Sequence, residues 1–239
     1  MSRQLSLLKS EFKRLVKYKI VTIAFLLTFL WAAVLYLVGE DAAGTFLPMF
    51  IFIDATTMSI MYVGSILYYE KQENTLKPLL VTPISVLSIV VVRVVTAIYI
   101  ALQSGVLIAL FAAFFLNVSV NFIALIVFLS IIAAAHAMIG FWISLHAPDF
   151  NDLLIAIVGY MFFFAFPTLF FSLGLLPDFF EYVLMISPTH GSFLLIARAL
   201  NEDVALWQWL VASFYLVSVA GLLYLFQVKP WYALKGVKE

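Results

Sequence analysis

The chain has 239 residues, 65% of them hydrophobic and 11% charged, and its 13 basic and 13 acidic side chains cancel to a formal charge of zero. A mean hydropathy of +1.13 excludes a soluble domain with a polar shell. Apolar runs of about 20 residues without two-residue alternation exclude a closed barrel, which leaves an all-α, polytopic membrane protein, 1–239, as one domain. With no cysteine there is no disulfide or thiolate site, and His136, His146 and His190 lack ligand spacing, so no metal site is expected.

Residues 1–19 carry Arg3, Lys9, Lys13, Arg14, Lys17 and Lys19, with Leu5, Leu8, Phe12 and Leu15 three and four residues apart. This predicts an amphipathic interfacial helix that anchors the chain, with recruitment of acidic lipids or a soluble partner as the other use of such a face. The basic lead is too long for an ordinary signal peptide, so 20–38 is predicted as a retained first span. Five more spans are predicted at 46–69, 92–116, 122–145, 153–175 and 205–227. Asp149 or Asn151 would cap the fifth of the six, and Pro167 would kink it.

Lysines and arginines on alternate sides place the N-terminus, the 70–91 segment (Lys71, Lys77) and the tail (Lys229, Lys235, Lys238) in the cytoplasm, with Glu40, Asp41, Asp178, Glu181, Glu202 and Asp203 opposite. The apolar pieces of 177–203 are each too short to cross and are broken at Ser187–Gly191. They predict a re-entrant or surface-lying outer hairpin before the last span.

Residues 68–85, "YYEKQENTLKPLLVTPIS", interrupt the hydrocarbon with charge and turn formers. By pattern alone the stretch either caps the second span and turns the chain, or forms a short amphipathic helix for a partner's groove. Glu70, Glu73, Thr75, Leu76, Leu79, Leu80, Thr82 and Pro83 follow the cytoplasmic segment of ABC-2 type transporter permeases, departing at Asn74, Lys77 and Pro78. The whole chain resembles that family in its six spans, amphipathic first helix and broken outer hairpin with "SPTH" at 187–190. It is most similar to small permeases of drug or fluoroquinolone-type export.

The resemblance implies an exporter permease in a bacterial or archaeal cytoplasmic membrane, paired with a second copy or a paralogue. A hydrophobic drug or small lipophilic molecule would be the substrate. Residues 70–83 would rest on a separate ATP-binding subunit that holds ATP and Mg, with Glu70 and Glu73 toward its basic residues. Consistent with this, the chain has no G-x-x-x-x-G-K-[ST] loop, and neither a cofactor nor nucleic acid is expected to bind it.

Polar residues inside the spans carry the remaining candidates. Asp54, about 12 Å below the outer interface by residue count, is either a substrate or ion contact or a helix–helix hydrogen-bonding group. Met58 and Met61 follow on roughly the same face and suit a permissive substrate surface or plain packing. Gln103, Ser104 and His136 read as interhelical hydrogen-bonding groups rather than a relay, because their depths differ. Arg93 would snorkel to the headgroups or pair with Glu70. A secondary transporter or channel using Asp54 and His136 is the alternative function, while no nucleophile elbow, H-E-x-x-H or paired intramembrane aspartate supports an enzyme.

Overall fold

The computed structural model describes residues 3–73, 75 and 85–237, and all regular structure among them is helical. Helix α1 (Arg3–Lys17) turns Lys9, Lys13 and Lys17 outward and buries Leu15, with Phe12 edge-on to Tyr99 at 4.9 Å. Its packed face differs from the expected stripe: Leu5 is exposed and Glu11 is buried. Lys19, at φ 57°, makes the elbow into α2 (Ile20–Val38).

A single residue, Gly39, separates α2 from α3 (Glu40–Gln72); its φ of 85° is a conformation that a side chain would strain. Glu40 and Asp41 occupy the first turn, where carboxylates complement the helix dipole. The second span therefore starts at Glu40 rather than 46, and the helix passes through Pro48. Its 33 residues extend about 50 Å, longer than the roughly 30 Å hydrocarbon layer. Asp54 lies 14 residues on from Glu40, about 21 Å along the helix axis.

Helix α4 (Val86–Phe115) also begins earlier than expected, because Ser85 Oγ accepts the Ser88 N–H at 3.1 Å. Asn121 caps α5 (Phe122–His146) in the same way, and Asp149 Oδ1 accepts the Asp152 N–H at 2.9 Å to start α6 (Phe150–Ser172). Proline reshapes the fifth span as its chemistry requires. Pro167 has no N–H, and the turn before it, Met161–Ala165, widens to a π-helix in which the Phe166 N–H reaches back five residues to the Met161 carbonyl. The Phe164 carbonyl accepts the hydroxyls of Thr168 (3.1 Å) and Thr189 (2.6 Å), which fastens the bend to the segment beyond it.

That segment holds α7 (Phe180–Leu184), largely outside the core, and α8 (Pro188–Ala199), most of which is buried against α3, α5 and the last span. The last helix, α9 (Leu206–Leu223), runs through a second π turn (Tyr224–Val228) into α10 (Lys229–Val237), so the helix continues past the expected end at 227. Pro230 stands two residues after this π turn, as Pro167 does after the first. The same missing N–H accounts for both.

Helix α3 is the axis of the bundle, packed on by α2, α4, α5 and α8. Its closest neighbour is α5: a Cβ added at Gly140 would lie 2.6 Å from the Ile60 carbonyl oxygen, so only glycine permits this approach. Six helices, Ile20–Val38, Glu40–Gln72, Val86–Phe115, Phe122–His146, Phe150–Ser172 and Leu206–Ala233, are long and apolar enough to cross a membrane.

Candidate functional site

At the far end of α3 from Gly39, four charged side chains from three helices converge inside the protein. Glu70, 5% exposed, receives Arg14 Nη1 on Oε1 at 2.6 Å and Arg93 Nη2 on Oε2. Arg14 also contacts Glu11 Oε1 at 3.3 Å, and Glu11 Oε2 accepts the Tyr62 hydroxyl at 3.4 Å. Arg93, 1% exposed, donates Nη1 to the Tyr232 hydroxyl at 3.3 Å and lies over the Phe141 ring. The cluster thus ties α1, α3, α4 and α10 together. Burial pushes the Glu11 carboxyl above the usual carboxylate range, against the opposing pull of Arg93 and Arg14.

Of the two alternatives for Arg93, the structure holds pairing with Glu70. Both oxygens of Glu70, expected to face a partner subunit, receive arginines of its own chain. Glu73, exposed at the helix end, keeps its carboxylate outside the cluster, and Thr75 returns to α3 by donating its N–H (3.0 Å) and hydroxyl (3.4 Å) to the Glu70 carbonyl. Leu76, Leu79, Leu80, Thr82 and Pro83 lie outside the described residues.

The intramembrane candidates separate into different places. Asp54, 2% exposed, accepts Trp31 Nε1 of α2 at 3.3 Å on Oδ1 and the Ser104 hydroxyl of α4 on Oδ2, so it joins three helices. His136 faces α6: Nε2 meets the Tyr160 hydroxyl at 3.2 Å, and Nδ1 meets the Ile132 carbonyl at 3.0 Å. Depth does not divide these two, because Gly140 sits beside Ile60 and His136 is therefore within about one turn of the Asp54 level. Their different partners do. The amide atoms of Gln103 are buried without a hydrogen-bond partner among the described residues.

Met58 and Met61 belong to another feature, a cavity of about 520 Å³ between the α1–α2 elbow and α3, to which Glu70 and Glu73 also contribute. Sequence reasoning missed Glu11, Tyr62 and Tyr232 as members of the cluster. Only Glu11 left a trace: it is the one acid among the first 19 residues and falls between Leu8 and Leu15 on the apolar stripe. In α8, His190 is fully enclosed with both ring nitrogens unpartnered among the described residues and its ring edge-on to Phe171; burial lowers its pKa to about 4.

A bundle of six apolar helices built around one of them, α3, and closed at one end by an internal charge cluster, defines a multi-pass membrane protein. The chain belongs to the ABC-2 type transporter family, which it matches over residues 4–197, from α1 to near the end of α8. Among curated proteins, none matches the chain at a significant level.

Proposed function

We propose that the chain is the permease subunit of an ATP-driven exporter, working as a dimer in the cytoplasmic membrane of a bacterium or archaeon with both ends of the chain in the cytoplasm. A separate ATP-binding subunit docks on the segment that follows α3, and lipophilic molecules are the substrates. Membership of the ABC-2 family carries this reading, and the cluster around Glu70 supplies its mechanics.

A push on the segment after Glu73 enters α3 directly. Through Glu70 it reaches Arg14 on α1 and Arg93 on α4 together, so the three helices shift as one body rather than shearing past one another. The exposed phenylalanines of α6, Phe162, Phe163, Phe166 and Phe170, offer lipid or a second copy an apolar face.

Affinity purification of the tagged chain from its native membrane, with a vanadate-sensitive ATPase assay, tests the reading. Recovery of a stoichiometric nucleotide-binding subunit is expected, with ATP hydrolysis uncoupled from transport in a Thr75→Ala/Leu76→Ala variant. A chain that purifies alone without ATPase activity refutes it and moves the weight to Asp54 and His136 in a secondary transporter.

A further inference from the structure

The cavity beside α3 has two chemically distinct ends. Ile23 of α2 and Met58 and Met61 of α3 form an apolar wall, in which unbranched thioethers adapt to differing shapes. The other end is polar and aromatic, made by Arg14, Tyr18, Tyr69, Glu70 and Glu73. A volume of about 520 Å³ falls in the range of roughly 300–1,000 Å³ usual for small-molecule sites.

Charge at the polar end decides what it accepts. Arg14 is already engaged by Glu70 at 2.6 Å and Glu11 at 3.3 Å, in a cluster where two arginines face two glutamates. Glu73 has no ion pair among the described residues, so the unmatched charge of the described lining is negative. Two half-exposed tyrosine rings stand beside it, Tyr18 and Tyr69, and aromatic faces attract cations. The Tyr18 ring already has one ammonium near it, Lys17 Nζ at 5.7 Å.

We propose that this cavity binds an amphipathic organic cation, its charged head between Glu73 and the two tyrosines and its apolar body against Ile23, Met58 and Met61. As a loading site for transport the cavity rests on the exporter reading; as a binding site it does not. Its floor includes Glu70, so an occupant sits against the carboxylate that links α1, α3 and α4. Binding there biases the arrangement of the same helices that the motor would move.

The test is equilibrium binding of tetraphenylphosphonium to the purified full-length chain in mild detergent, without nucleotide or partner. Saturable binding at one site per chain is expected. Glu73→Gln weakens it about fivefold, the scale of one partly exposed cation contact, and Glu73→Lys weakens it further. Met61→Trp, which fills the apolar end and leaves every charge in place, abolishes it. An alkyl phosphate of equal apolar bulk fails to compete. Three results overturn the proposal: no saturable binding to folded protein, affinity unchanged in Glu73→Lys, or equal displacement by the phosphate. Because no ATPase is present, loss of the exporter reading leaves this result standing, and the converse holds as well.

Discussion

Replacing Arg93 by methionine keeps an unbranched apolar stem and removes the charged guanidinium from the interior. Glu70 then retains only Arg14, whose side chain is 37% exposed and whose attraction is screened by solvent, while Arg93 is enclosed. Breaking a buried pair from one side costs about 3–5 kcal/mol, because the surviving charge stays desolvated. Glu70→Met is expected to cost a similar amount by stranding Arg93 on the Tyr232 hydroxyl and the field of Glu11. The double variant removes both charges together and is expected within about 1–2 kcal/mol of the parent. Thermal unfolding in detergent would show this as two single variants lowered by about 8 °C and a double variant restored most of the way. Additive losses in the double variant would refute the argument, since they would mean that Glu70 and Arg93 contribute independently and do not join α3 to α4.

Gly140→Ala places a methyl group against the Ile60 backbone and is expected to cost about 2–3 kcal/mol, whereas Gly191→Ala, whose Cβ would meet ordinary contacts at 3.5 Å or more, is expected to be near neutral in the same unfolding assay. Asp54→Ala leaves Trp31 Nε1 without its acceptor and is expected to lose about 2 kcal/mol; Asp54→Asn, which keeps an acceptor, should lose much less, and equal losses would show that the fold needs the ionised carboxylate. His190 is held neutral in the fold with a pKa of about 4 against 6.5 when free, so stability is full above pH 6.5 and is lost as the unfolded chain takes up a proton on descent toward pH 4, by up to about 3 kcal/mol. Unfolding midpoints followed from pH 7 to 4 should fall less steeply in His190→Leu.

The six crossings were legible because hydropathy is a property of long windows and survives local irregularity. Their ends were harder. Pro48 and the acids at 40–41 look like a loop to a window average, yet Gly39 with two acids behind it is a helix start, and this moved the start of the second span from 46 to Glu40. Local chemistry did locate the Asp149 cap and the Pro167 bend, because both act within a turn. The charge cluster was visible only in part. Arg93 and Glu70 are 23 residues apart in sequence and were among the expected pairings, but Arg93 with Tyr232 spans 139, and no local pattern announces a contact of that range. For the same reason the sequence grouped Met58 and Met61 with Asp54, on their shared helix. Their cavity is completed by Tyr18 and Ile23, which come from the elbow.

Two narrow joints govern how the first half of the chain is able to move. Between α1 and α2 stand only Tyr18 and Lys19, and between α2 and α3 only Gly39. Three rods linked by such short pieces behave like a carpenter's folding rule: the lengths are fixed, and shape changes only through the angles at two pins. The Arg14–Glu70 contact then joins the first rod back to the third and closes the rule into a triangle. A closed triangle has no free angle, so this contact, together with the packing of α2 on α3 and of α1 and α2 on α4, makes the first three helices one stiff frame.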